Sequence, residues 1–419
     1  MKIKSIRGFN DILPEKTSKF QFVENLIINT IQNSGFKEIR TPLVEYQELF
    51  KRVGEETDIV TKEMYNINRT EEVFTLRPEG TVGVARAILE GNLTDSIQKL
   101  WYNGYMFRAE NPQKGRYRQF QQIGVEVYGI SDINIETELL NMTYNIFNNL
   151  GIINSINLEI NTIGSFEDRK QYSEALVRYM KPFYKNFDEN FILKFEKNPF
   201  RILDNKDKKI QEILIDCPKI DDYINEESKK SFETLKFNLD LLNIKYKVNN
   251  KLIRGLDYYN DVVFEWTSIL SESQSTICAG GRYDSLISQI SNKKIPAFGF
   301  AIGVDRLVLL LEELDLFEDT MRTGACICIL NSDNFVYGLN LRNKLINIFN
   351  IPISIINQQT SLKSQMKKVD KLNVKYAFII GENEINNNKL TVKNMENGEQ
   401  KTYEFDVFFY LLSNKYLIF

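Results

Sequence analysis

Between Lys99 and Gly129 the chain alternates in a way that few folds accept. Two extended segments, 100–110 and 119–128, flank the polar stretch Asn111-Pro112-Gln113-Lys114-Gly115-Arg116-Tyr117-Arg118, which predicts an antiparallel hairpin. Side chains on a strand point alternately to opposite faces. Arg108, Glu110, Gln122 and Glu126 therefore share a face with Phe120, while Tyr105, Phe107, Ile123, Val125 and Val127 line the other. One face is core. The other puts charges of both signs into the middle of a sheet, which costs free energy unless those groups meet a ligand or each other. Such a hairpin calls for a sheet buried on one side and carrying a polar site on the other.

The chemistry open to that site is narrowed by what is missing. The 419 residues include 0 histidines, so Ser-His-Asp and Cys-His catalysis, His-ligated zinc and an imidazole general base are all excluded. Neither a G-x-x-x-x-G-K-[ST] loop nor a G-x-G-x-x-G turn after a strand occurs, so a nucleotide would be held by side chains. Arginine suits that task because its planar fork binds phosphate at two points. Arg108 on the polar face, Arg254 in LIRGLDYYN and Arg306 in the first turn of a helix are the candidates, though each taken alone is more often a surface ion pair. Gly280-Gly281 would let backbone approach a ligand closely, or simply form a turn or bulge. The net charge of −3 does not announce a nucleic-acid binder, so any RNA contact must come from local patches. Four scattered cysteines, with Cys326 and Cys328 in an apolar strand, read as buried reduced thiols. No apolar run reaches the ~20 residues of a membrane span, and MKIKSIRGFNDILPEK lacks a signal-peptide core; a cytoplasmic protein is expected.

Along the chain, Phe20, Val23, Ile27 and Ile31 recur at helical spacing before Gly35, predicting a helix over 18–34. Strands are expected at 36–40, 72–77, 251–266, 276–279 and 298–303, with helices at about 82–90 and 304–314. The turn after the second of these strands puts Arg77 and Glu79 at a strand end, where side chains commonly face a site. Residues 167–245 turn helical and lysine-rich, as an insertion would. From about 322 strands alternate with helices, the pattern of a small α/β domain. The expected division is 1–166 with 246–321, then 167–245, then 322–419.

Five blocks in order, TLRPEGT (75–81), FRAENPQKGRYRQFQQIGVEVYG (107–129), LIRGLDYYN (252–260), AGGRYDSL (279–286) and FGFAIGVDRLVLLLE (298–312), closely resemble histidyl-tRNA synthetase, a class II aminoacyl-tRNA synthetase. GFKEIRTPLVE (35–45) resembles the first motif of the family, at its dimer interface, so a homodimer is implied. The resemblance implies an α+β catalytic domain on a mixed, mainly antiparallel sheet, a helical insertion and a C-terminal anticodon-binding α/β domain. It implies ATP, L-histidine and the histidine tRNA as partners, with Mg²⁺ on the pyrophosphate side and no protein metal ligands assigned. By position, Arg108 would hold the histidine carboxylate and the α-phosphate, and Arg254 would sit at the α-phosphate. Glu110 would meet the adenine amino group and Phe120 and Arg306 its ring, with Arg116 and Tyr117 also at ATP. Glu79, Thr81, Gln122, Glu126, Tyr258 and Tyr259 would line the amino-acid site, carboxylates taking the ammonium and imidazole.

Departures bear on the tRNA. Ala109, Asn111 and Gln121 replace two histidines and an arginine common in the family, the arginine being near the acceptor end. Gln358-Gln359-Thr360-Ser361 replaces a glycine-rich turn in the C-terminal domain, where Lys363, Lys367, Lys368, Lys371 and Lys375 form either a phosphate-facing stripe or a solvated helix face. A non-catalytic relative, a regulatory subunit of histidine biosynthesis, shares the core but lacks the anticodon domain and has lost binding residues.

Overall fold

The computed structural model describes residues 3–54, 57–70, 72–205, 207–270, 275–317, 324–349, 351–356 and 360–413. The chain forms two compact units, 1–316 and 317–419.

The first unit opens with a helix, Pro14–Asn33, that begins on a proline at its first turn and buries Phe20, Val23, Ile27 and Ile31. Gly35, with φ +85°, turns the chain out of it in the left-handed region that favours glycine. The strands follow as β1 (Lys37–Glu38), β2 (Val44–Tyr46), β3 (Tyr65–Arg69), β4 (Glu72–Leu76), β5 (Gln98–Phe107), β6 (Gln119–Tyr128), β7 (Ile156–Thr162), β8 (Lys247–Val248), β9 (Asn260–Ser268), β10 (Thr276–Arg282) and β11 (Ala297–Gly303). Eight of them make one sheet in the order β1-β5-β6-β11-β10-β9-β7-β8. Only the two outer pairs, β1 with β5 and β7 with β8, are parallel. The sheet is mixed and mainly antiparallel. A small antiparallel sheet, β2-β4-β3, stands beside it.

Helix Pro14–Asn33 packs on Asn134–Asn149 and Val304–Glu313, and Ile123, Val125 and Val127 of β6 are fully buried as the alternation requires. Between β7 and β8 lie the helices Phe166–Met180, Glu189–Lys197, Lys208–Ile213 and Glu226–Leu241. The first is started by a capping box: Asp168 N donates to Ser165 Oγ (3.2 Å) and Ser165 N to the Asp168 carboxylate (2.9 Å).

Three strand expectations need correction. β5 ends at Phe107, so Arg108 and Glu110 lie beyond the ladder, where the chain turns away with Arg108 N bonded to Arg118 O. Tyr105 is 38% exposed and does not join the core face. The strand expected over 251–266 begins only at Asn260; the stretch before it is irregular, and its carbonyls are held by side chains.

The second unit is a five-stranded sheet of β12 (Ala325–Ile329), β13 (Ile353–Ile356), β14 (Tyr376–Ile380), β15 (Lys389–Asn394) and β16 (Gln400–Glu404), ordered β13-β12-β14-β15-β16. The first three are parallel, the rest antiparallel. Helices Phe335–Phe349 and Leu362–Lys371 connect the parallel strands. Cys326 and Cys328 are buried in β12 and unbridged.

Candidate active site

The polar face of the hairpin forms the floor of a cleft. Its walls come from the turn after β4, the 254–259 turn, β10 and the start of helix Val304–Glu313. Glu79, Thr81, Arg108, Glu110, Arg116, Tyr117, Phe120, Gln122, Arg254, Tyr258, Tyr259 and Arg306 all line it. Glu126 lies beneath, 1% exposed, and reaches the cleft through Thr81.

Two buried carboxylates, Glu79 and Glu126, lie at the cleft. Glu79 accepts from the backbone N–H groups of Thr81 and Val82 (2.8 Å each) at the start of helix Thr81–Glu90. Burial raises its pKa against those bonds and the pull of Arg108. Glu126 accepts from Thr81 Oγ1 (2.7 Å) and from the Tyr283 hydroxyl. Burial, reinforced by Glu79, pushes its carboxyl up to about 8. Opposite Glu126 in the register is Gly299. A Cβ there would meet the Glu126 carboxylate and, at 2.8 Å, the Tyr283 hydroxyl, so the absent side chain makes room for the charge. Gly124 serves Tyr102 likewise.

Four arginines line the same cleft. Arg108 donates to Pro78 O (2.9 Å) and lies 5.2 Å from the Phe120 ring centroid. Arg306 donates to Gly115 O (2.9 Å) and Thr276 O (2.7 Å); burial, then Arg108 and Arg116, lower its pKa to about 10. Burial also lowers that of Arg108, with Arg254 adding to the effect and Glu63 and Glu79 opposing it. Arg116 pairs with Glu110 and Arg254 with Glu265. For Arg254 burial lowers the pKa, but Glu265 together with Tyr259 and Tyr258 outweighs it and leaves it raised. Its Nε is buried with no hydrogen-bond partner. Cations that depress one another, and an orphaned donor, fit a site built for a polyanion.

Other expected residues fall elsewhere. Arg77 is a strut: it donates to Tyr105 O (3.0 Å), Thr41 O (3.1 Å) and Thr41 Oγ1 (3.0 Å) and lines no part of the cleft. Gly280 and Gly281 let β10 fit closely against Gly299 O and Val262 O and make no cradle for a ligand. Tyr102 and Tyr283 were not singled out from the sequence. Tyr102 follows from carrying the hairpin alternation upstream past Gly104, whereas nothing in AGGRYD marks which way Tyr283 points. In the second unit, Lys363, Lys367 and Lys371 are exposed at helical spacing, while Lys368 and Lys375 are half-buried. Gln358 and Gln359 lie outside the described residues.

The family model described as histidyl-tRNA synthetase matches residues 8–168 and 204–307. The chain belongs to the histidyl-tRNA synthetase family. A second model, an anticodon binding domain, matches 325–415. Among relatives, the histidine–tRNA ligase of Francisella philomiragia subsp. philomiragia is 44% identical over 408 residues, 96% of each chain. The crystal structure of apo S. aureus histidyl-tRNA synthetase superposes with a TM-score of 0.81 at 34% identity, covering 99% of both chains. An ATP phosphoribosyltransferase regulatory subunit/histidyl-tRNA synthetase from Bacillus halodurans shares the fold, with a TM-score of 0.64 at 19% identity over 88% of this chain and 97% of that one. As a histidyl-tRNA synthetase family member the chain has the class II fold, and among the described residues no helix is long and apolar enough to cross a membrane.

Proposed function

We propose that this chain is a histidine–tRNA ligase whose two chemical steps both occur in the cleft. The observation that carries the reading is that one cleft brings together two sets of groups: Arg108, Arg116, Arg254 and Arg306, and buried Glu79 with Glu126 beneath it. Histidine, with a cationic and an anionic end, bridges the two; ATP lies on the arginines.

In the first step a histidine carboxylate oxygen attacks the α-phosphorus in line, and the bond to the bridging oxygen of pyrophosphate breaks. Arg108 holds the histidine carboxylate and the α-phosphate together, and Arg254 stabilises the charge that builds there. Positioning and cationic stabilisation are what such a reaction needs, so no enzyme nucleophile is involved. Glu79, Thr81, Gln122, Glu126, Tyr258 and Tyr259 take the ammonium and imidazole. Glu110 receives the adenine amino group and Phe120 and Arg306 its ring, with Arg116 and Tyr117 alongside; for this Arg116 must leave Glu110.

In the second step the 3′-terminal ribose hydroxyl of the tRNA attacks the histidyl carbonyl and AMP leaves. With 0 histidines in the chain and the carboxylates engaged by substrate, the hydroxyl proton goes to a nonbridging phosphate oxygen of the adenylate. Mg²⁺ enters with ATP as its complex. Among the described residues there is no group of three or more Cys, Asp or Glu that could hold a metal ion; an Mg²⁺ ion brought in with ATP is held mostly by phosphate and water.

Residues 1–166 and 246–321 form the catalytic domain, 167–245 the helical insertion and 322–419 the domain that reads the histidine tRNA. Exposed Leu43, Val44, Tyr46, Ile67 and Val73, in or near β2-β4-β3, support a homodimer. Four unbridged cysteines support a reducing cytoplasm. Amino-acid-dependent ATP–pyrophosphate exchange across all twenty amino acids tests the reading. Exchange with histidine alone is expected; exchange with none would return the chain to the regulatory class.

A further inference from the structure

Three consecutive carbonyls of the turn that presents Tyr258 and Tyr259 to the cleft are held by side chains. Asp257 O and Tyr259 O accept from Arg169 Nη1 at 3.0 and 2.5 Å, and Tyr258 O accepts from Ser285 Oγ at 3.3 Å. The Asp257 carboxylate in turn accepts from Asn198 Nδ2 at 2.7 Å. Arg169 stands in the first turns of helix Phe166–Met180, just after the capping box that fixes its start. Asn198 terminates helix Glu189–Lys197. The Arg169 guanidinium is itself located, 5.2 Å from the Phe200 ring centroid. Burial lowers its pKa, opposed by Asp257. Both donors come from the stretch 169–203, which falls between the two parts of the chain that the family model matches.

The turn needs such support. Residues 249–259 form neither helix nor strand, and a Cβ at Gly255 would meet nothing within 4 Å. Yet Arg254, Tyr258 and Tyr259 all line the cleft, and a drift of about 1 Å in such groups costs up to about a hundredfold in rate. We infer that Arg169 and Asn198 are positioning residues for histidine binding, holding the 254–259 turn from the helical segment. Neither touches the cleft; they act through Asp257, Tyr258 and Tyr259. The inference rests on the ligase reading of the cleft.

The hydrogen bond between Asn198 and Asp257 can be reversed in polarity, which separates positioning from general structural support. Asn198→Asp sets a second carboxylate against Asp257; adding Asp257→Asn restores one donor and one acceptor in the same place. In the full-length protein, N198D is expected to raise the KM for histidine in pyrophosphate exchange about tenfold, with the KM for ATP within about twofold. The N198D/D257N double variant is expected to recover histidine KM to within about threefold of wild type. R169Q should act as N198D does, with R169K recovering part of the loss because one donor still reaches a carbonyl. An unchanged histidine KM in folded N198D, an equal rise in both KM values, or no recovery in the double variant would overturn the inference. If R169Q does not fold, the Asn198–Asp257 cycle decides alone. Calorimetric histidine binding by the same variants keeps the two readings apart: a wild type that binds histidine but catalyses no exchange overturns the ligase assignment, while the cycle in histidine Kd still decides the positioning claim.

Discussion

Glu126 carries the sharpest consequence at the scale of single residues. A carboxyl whose folded pKa, here about 8, exceeds its unfolded value contributes stability that is complete below the unfolded pKa and lost as pH rises through the folded one. Wild-type protein should therefore lose stability from about pH 4 to 8 relative to Glu126→Gln, which keeps the shape and cannot ionise. Thermal unfolding of the two proteins across that range checks this: the curves converge at low pH and the variant is the more stable at pH 8. Glu136, raised by burial to about 7 despite its contact with Arg282, adds a similar dependence common to both proteins. Histidine reverses the ranking. Its cationic groups favour the ionised carboxylate, so E126Q should weaken histidine by about 1.5–3 kcal/mol and ATP far less. Binding at pH 7 should release a proton in wild type that E126Q does not release, measurable by calorimetry in buffers of different ionisation enthalpy. Equal weakening of both ligands would remove Glu126 from the histidine site. The residue types were legible beforehand because strand alternation aligned Gln122 and Glu126 with Phe120. Their support was not: Tyr283 reaches Glu126 across β11, a contact set by sheet order rather than by any local pattern.

Among elements, those with strong periodicity were readable and those shaped by side-chain anchoring were not. Helix Pro14–Asn33 and the buried face of β6 follow from spacing alone. The 251–259 stretch, rich in apolar and aromatic residues, reads as a strand; yet its carbonyls go to Asn161, Arg169 and Ser285 instead of a ladder, and Arg254, Tyr258 and Tyr259 turn to the cleft. β5 stops at Phe107 because Arg108 and Glu110 are drawn to Pro78 O and Arg116. The meeting of β6 and β11 is where an element-scale change should tell. Gly299→Ala would force a Cβ against the Glu126 carboxylate, Val125 O and Tyr283. It should destabilise the protein by about 1–3 kcal/mol and weaken histidine binding. Denaturant titration with an unchanged slope, together with histidine affinity, measures both. Wild-type values for each would show that the strand pair has slack the packing does not suggest.

The molecule as a whole is two compact units, 1–316 and 317–419, and the proposed labour divides the same way. Cutting the chain after residue 316 should leave histidine-dependent pyrophosphate exchange largely intact while tRNA charging falls steeply. Loss of both would mean that the second unit supports the fold or the dimer. The α/β pattern of that unit was visible from strand and helix alternation, but the bearing of Gln358 and Gln359 on tRNA was not, since sequence alone does not say where the turn before helix Leu362–Lys371 faces. The central claim, that a chain without histidine in its own sequence attaches histidine to RNA, is tested most directly by charging. Full-length protein, ATP, Mg²⁺ and labelled histidine are incubated with the histidine tRNA, and with the same tRNA whose 3′ ribose has been oxidised by periodate. Alkali-labile histidine on the intact tRNA and none on the oxidised tRNA is the predicted result. Histidine-dependent exchange with no transfer to the intact tRNA, or label on both RNAs alike, would contradict it.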